Sequence, residues 1–66
     1  MKKNKKVSVI GAGAWGTALA AAFARAGNDV IIWAMEKQVV SEINSRHINS
    51  MYLKGIKLPD NITAVN

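Results

Sequence analysis

Sixty-six residues, half of them hydrophobic, with no cysteine, make at most one small domain and exclude both a disulfide framework and a thiolate metal site. The same apolar fraction excludes a disordered chain. The net charge of +5 does not describe a nucleic-acid-binding face, because four of the nine basic residues are Lys2, Lys3, Lys5 and Lys6. The other five (Arg25, Lys37, Arg46, Lys54 and Lys57) are interspersed with Asp29, Glu36, Glu42 and Asp60, the pattern of a solvated surface.

Residues 1–6 therefore read as a basic, solvated start, and residues 7–66 as the folding part. A lysine cluster followed by the apolar run Val7 to Ala24 has the outline of a signal segment or short membrane span. Three glycines within six residues, with Ser8 and Thr17, argue against it. No membrane span is expected, and a cytoplasmic location fits the composition.

Val7 to Ile10 is β-branched or small and runs straight into glycine, which predicts a short buried strand. Gly11 to Gly13 is a turn. Ala14 to Ala26 is alanine-rich and free of proline, which predicts a helix. Trp15, Leu19, Ala22, Phe23 and Ala26 recur at helical spacing and are its expected apolar face. Gly27 and Asn28 read as a left-handed helix stop. Val30 to Trp33 is a second strand, apolar throughout, as in a parallel sheet covered on both faces; Trp33 is assigned to the core.

Glu36 to about Arg46 is a weaker helix, with Val39, Val40 and Ile43 on one side. Residues 47–61 are expected to be irregular, punctuated by Gly55 and Pro59. Ile62 to Val65 can begin a third strand. The order strand, glycine turn, helix, strand is one βαβ unit of an α/β fold, with a right-handed crossover. It reads as the amino-terminal βαβ portion of a dinucleotide-binding Rossmann domain with a parallel sheet. That domain is expected to continue beyond this segment, and the segment alone is expected to be poorly folded and inactive.

The sequence Gly11-Ala12-Gly13-Ala14-Trp15-Gly16 has the Gly-x-Gly-x-x-Gly spacing, after a predicted strand and at the opening of a predicted helix. Each glycine has its own role in that motif. Gly11 permits the tight turn, Gly13 lets a pyrophosphate approach the backbone, and Gly16 lets the helix pack close to the sheet. The free amides of the helix start face the phosphates. A bare structural turn is the bland alternative. A P-loop would place lysine where Thr17 stands, so a nucleoside triphosphatase is not indicated.

An acidic residue about 20 positions beyond the last glycine commonly meets the adenine ribose. Glu36 stands there, with Met35 beside it as the other candidate. A first-turn carboxylate facing solvent is nearly as good an account of Glu36. Neither residue welcomes the extra phosphate of NADP, so NAD is the expected cofactor, with Lys37 the one cation near enough to bring NADP into play. Trp15 fits either the cofactor cleft or a core anchor. His47 stands alone, so neither a metal site nor a catalytic triad is indicated, and no catalytic residue is assigned in this chain.

The run Val9-Ile10-Gly11-Ala12-Gly13-Ala14-Trp15-Gly16-Thr17-Ala18-Leu19-Ala20 resembles the opening of NAD(P)-dependent glycerol-3-phosphate dehydrogenases. The resemblance continues through Gly27-Asn28-Asp29-Val30 to Trp33, Glu42-Ile43-Asn44, Arg46 and Asn49. It extends to Tyr52-Leu53-Lys54-Gly55-Ile56-Lys57-Leu58-Pro59 and Asn61-Ile62. The glycine turn is common to many dehydrogenases; the Trp-Gly-Thr-Ala-Leu-Ala and Tyr-Leu-Lys-Gly-Ile-Lys-Leu-Pro runs are more specific.

The resemblance implies hydride transfer between sn-glycerol 3-phosphate and dihydroxyacetone phosphate for glycerophospholipid synthesis. It implies a small phosphorylated substrate and a homodimer for the complete enzyme. It also implies cofactor contacts at Ala14, Trp15 and Met35, where many bacterial members carry Ser at the first position and Arg or His at the last. The catalytic lysine and most substrate-binding residues of the family belong to later segments. Another hydroxyacid or sugar-phosphate dehydrogenase, or a nucleotide-binding module without enzymatic activity, shares the same turn.

Overall fold

The structure, a computed structural model, describes residues 5–66; the part of the basic start formed by residues 1–4 lies outside them. The chain order is β1 (Lys6–Ile10), α1 (Ala14–Arg25), β2 (Asp29–Trp33), α2 (Lys37–Arg46), β3 (Ile48–Asn49), β4 (Leu53–Lys57) and β5 (Ile62–Val65). β1, β2 and β5 form a three-stranded sheet in the order β1-β2-β5, parallel throughout. Val9 lies opposite Ile32, and Ile32 opposite Ala64.

The periodicity of two in each strand decides which side is covered. Val9, Val30, Ile32, Ile62 and Ala64 point to one face and join Ala20, Ala21 and Ala24 of α1 with Val39 and Ile43 of α2 in a single core. Both helices therefore pack on the same face. Ile10, Ile31 and Trp33 point the other way and are exposed, so the expectation of a sheet covered on both faces holds for one face only in this chain. Trp33, expected in the core, is 45% exposed for that reason.

A second correction concerns α1. Trp15, Leu19 and Phe23, expected to face the core, are exposed. The buried residues are Thr17, Ala20, Ala21 and Ala24. A helix whose third residue is glycine, seated against the strand before it, can bring only small side chains to that contact. Gly27, at φ 98°, ends the helix region as expected. In α2, Val39 and Ile43 are buried and Val40 is half-buried, in agreement with the predicted apolar side.

The third correction lies in residues 47–61, where β3 and β4 form a small antiparallel pair. Its side chains reach back to both helices. Asn49 enters the core beside Thr17, and Ser50 donates through its amide and its hydroxyl to Glu42 of α2. Those donated bonds, together with the nearby Arg46, hold the Glu42 carboxyl below its ordinary range.

β5 lies at one side of the sheet. On its outer flank Asn44 of α2 makes a reciprocal pair with Ala64. Its Nδ2 donates to the Ala64 carbonyl at 2.9 Å, and its Oδ1 accepts the Ala64 N–H at 2.7 Å. Asn61 donates to the carbonyls of Ala24 and Asn28 at 2.9 and 2.8 Å, fastening the end of α1 to the start of β5. Among the described residues no helix is long and apolar enough to cross a membrane.

Candidate functional site

The carboxyl ends of three parallel strands and the start of α1 meet at one end of the sheet. Gly11 leaves β1 at φ 102°, a backbone conformation open to glycine and strained for other residues. Its N–H donates to the Trp33 carbonyl at 2.9 Å, which ties the turn to the end of β2. Gly16 is seated against the turn itself. A Cβ placed on it would fall inside the van der Waals radius of the Gly11 carbonyl oxygen and also meet Val9 at 3.6 Å. Close packing of helix on strand is therefore the physical reason for Gly16.

Gly13 is different, because a Cβ there would meet nothing within 4 Å. The space in front of it is open, and its extended backbone needs no glycine for its own conformation. The first bond back into the helix runs from the Thr17 N–H to the Gly13 carbonyl at 2.9 Å. The amides of Ala14, Trp15 and Gly16 thus have no intrahelical acceptor. No acidic side chain lies in the first turn of α1, so nothing of like charge opposes an anion there. Open space at Gly13, free amides and a helix start without carboxylates fit a pyrophosphate.

Ala12 is buried, while Ala14 and Trp15 are exposed. Trp15 is 84% exposed, which removes the core-anchor alternative. With Ala14 and Ala18 it borders a shallow depression of about 300 Å³ at the helix start. A larger concavity of about 490 Å³ lies at the strand ends, lined by Ile10, Gly11, Trp33, Ala34, Met35 and Asn66. None of these six carries a charge. Asn66 donates to the carbonyls of Ala34 and Met35 and so fixes the backbone that follows β2.

Met35 and Glu36 part company here. Met35 is 92% exposed and lines the concavity together with Gly11. Glu36 is half-buried, stands at the N-cap of α2 without capping it through its side chain, and accepts the Tyr52 hydroxyl at 2.5 Å. The carboxylate holds the Tyr52 phenol above its ordinary value, first through the hydrogen bond it accepts. His47 is half-buried in a left-handed conformation, and its Nε2 lies 3.6 Å from an Asp60 carboxylate oxygen.

The arrangement also contains a residue that the reading of the glycine motif did not single out. Asn49 is fully buried beneath the turn, bonded to Ala12 and Thr17. A polar side chain in a two-residue strand gives no periodic signal; the hint in the sequence is a hydroxyl, Thr17, directly after the last glycine.

The profile of the family described as NAD-dependent glycerol-3-phosphate dehydrogenase N-terminus matches residues 6–66. Glycerol-3-phosphate dehydrogenase [NAD(P)+] of Paramagnetospirillum magneticum is 65% identical over 54 residues, which are 82% of this chain and 20% of that protein. The protein of the same description from Corynebacterium diphtheriae is 54% identical over 59 residues, 89% of this chain and 18% of its own length. This chain thus spans about a fifth of the length of these relatives.

Among solved structures, glycerol-3-phosphate dehydrogenase of Coxiella burnetii superposes with a TM-score of 0.84 at 35% identity, over 94% of this chain and 19% of that one. The Saccharomyces cerevisiae enzyme gives 0.84 at 38% identity, over 96% and 22%. The parallel sheet, the glycine turn at its carboxyl end and the match over residues 6–66 agree: the chain belongs to the NAD-dependent glycerol-3-phosphate dehydrogenase family, as the amino-terminal, NAD-binding portion of its Rossmann domain.

Proposed function

We propose that residues 7–66 hold the pyrophosphate and adenosine side of a nicotinamide dinucleotide in a glycerol-3-phosphate dehydrogenase. The observation that carries the reading is the contrast between two glycines of one turn. Gly16 is closed off by the Gly11 carbonyl, whereas Gly13 faces open space beside free helix amides. Close packing accounts for the first, and a ligand brought up to the backbone accounts for the second.

In this reading Gly11, Ala12, Gly13, Ala14, Trp15 and Gly16 form the phosphate side of the site. Gly11 and Ala12 shape the turn, the amides of Gly13, Ala14, Trp15 and Gly16 bind the anion, and the Trp15 ring flanks it. Met35 lies against the adenine ribose, with Glu36 one residue beyond. NAD is preferred to NADP, because neither Met35 nor Glu36 pairs with a 2′-phosphate and an unpaired phosphate charge is costly away from water. When bound, the nicotinamide accepts or donates a hydride. This chain's residues bind and orient it, and the hydride passes between sn-glycerol 3-phosphate and dihydroxyacetone phosphate on groups outside residues 1–66. The complete enzyme is a cytoplasmic homodimer serving phospholipid synthesis, and residues 1–66 alone do not turn over substrate.

Gly13→Val in the full-length enzyme tests the reading. The isopropyl group takes the place of the pyrophosphate, while the fold persists because the backbone at Gly13 is extended and the space is open. NAD affinity, followed by fluorescence titration, is expected to fall by at least tenfold. A folded variant with unchanged affinity overturns the assignment.

A further inference from the structure

The Ala12–Gly13 peptide is trans, as no cis bond occurs among the described residues, so its carbonyl and its N–H point in opposite directions. Whatever holds the Ala12 oxygen decides where the Gly13 N–H is aimed. That oxygen is directed inward, where it accepts from Asn49 Nδ2 at 2.9 Å and from Thr17 Oγ1 at 3.2 Å. Asn49 Nδ2 also donates to Thr17 Oγ1 at 2.8 Å.

The proton count closes. An asparagine amide has two protons to give and a threonine hydroxyl one. One Asn49 proton goes to Ala12 and the other to Thr17, which leaves the Thr17 proton for Ala12. Both side chains are fully buried, and a buried amide is retained only when its bonds are made. Asn49 comes from β3, 37 residues beyond Ala12, so the second sheet reaches across the core to grip a single peptide of the glycine turn.

We propose that Asn49 is a positioning residue for the cofactor's pyrophosphate: by drawing the Ala12 carbonyl inward, it fixes the Gly13 N–H outward toward the anion. The inference rests on the reading of the glycine turn as a pyrophosphate cradle. Without the grip, the peptide joining Ala12 to Gly13 is free to rotate, and the opposite orientation turns a carbonyl oxygen toward the phosphates. Thr17 is the second half of the same grip.

The test compares two ligands in the full-length protein. ADP-ribose carries the pyrophosphate and adenosine does not. Asn49→Ala is expected to weaken ADP-ribose roughly tenfold, the scale of one hydrogen bond to a charged group, and to leave adenosine unchanged. Thr17→Val, which keeps the volume, is expected to weaken ADP-ribose by a smaller factor, again sparing adenosine. The Gly13 amide resonance in ¹⁵N-labelled protein should move on addition of ADP-ribose to the wild type and move less in either variant.

Equal loss of both ligands in a folded variant would mean that Asn49 only supports the fold, and no loss of either would mean that the grip is idle; each overturns the proposal. If Asn49→Ala does not fold, Thr17→Val carries the same comparison. Gly13→Val separates this inference from the one beneath it. If that variant leaves ADP-ribose binding intact, the cradle reading itself fails. If it abolishes binding while Asn49→Ala does not alter it, the positioning role alone fails.

Discussion

The Tyr52 hydroxyl donates to the Glu36 carboxylate at 2.5 Å, which fastens the turn between β3 and β4 to the residue that opens α2. It also occupies the carboxylate that stands nearest the expected ribose position, leaving Met35 as the residue that faces the concavity.

That bond sets an alkaline titration. The Tyr52 phenol is held above its ordinary value of 10.0, first by the bond it donates to Glu36 and last by the carboxylate's charge. A raised value in the folded state means that the contribution to stability is complete below pH 10.0 and is lost as pH rises through the folded value. Glu36→Ala removes both the acceptor and the charge, and Tyr52 is expected to titrate nearer 10.0. Tyrosinate absorbance checks this, with Tyr52→Phe identifying the signal. An unchanged midpoint in Glu36→Ala refutes the coupling.

Gly16→Ala sets two effects against each other. Alanine in a helix gains about 1 kcal/mol over glycine through propensity. The added methyl, however, meets the Gly11 carbonyl oxygen, a backbone atom that cannot swing aside. Overpacking of this kind costs roughly 1–3 kcal/mol, and here the upper part of that range applies. Gly16→Ala should therefore lower the urea midpoint of the full-length protein. A midpoint at or above wild type shows that α1 can move off β1 freely.

Met35→Arg addresses cofactor choice. The exposed thioether at the concavity offers a phosphate nothing, whereas a guanidinium offers a charge-assisted, two-pronged contact. Such a contact is worth about 1.5–3 kcal/mol, or roughly a tenfold shift or more toward NADP. The ratio of kcat/KM for the two cofactors reads it directly. No shift in a folded variant means that Met35 does not border the ribose.

The sequence was most informative where the cause is local. The β-branched runs of β1 and β2, the glycine spacing and the alanine-rich α1 each act through neighbouring residues, and all lie where expected. Trp15 and Trp33 were harder to place because size alone does not say which face an element buries. α1 presents its alanines to the sheet because Gly16 brings it too close for larger groups, and the alternation of β2 carries Trp33 to the uncovered side. The β3–β4 pair joins Ile48 to Lys57 through a register irregularity that no periodic pattern announces. Asn49 was the least legible of all, since its partners are a carbonyl and a hydroxyl more than thirty residues away.

The reciprocal pair between Asn44 and Ala64 gives the sheet a polarity of growth. A side-chain amide occupies, on the outer flank of β5, the same backbone donor and acceptor that a neighbouring strand would use. On the opposite flank β1 pairs only with β2 among the described residues. The β5 flank is thus closed to strand pairing at Ala64, while the β1 flank, beside the glycine turn, keeps an edge that no other strand among the described residues occupies. An asparagine on α2, far from the turn, in this way makes the two flanks of one small sheet unlike: one is sealed by a side chain and the other is open to a partner strand.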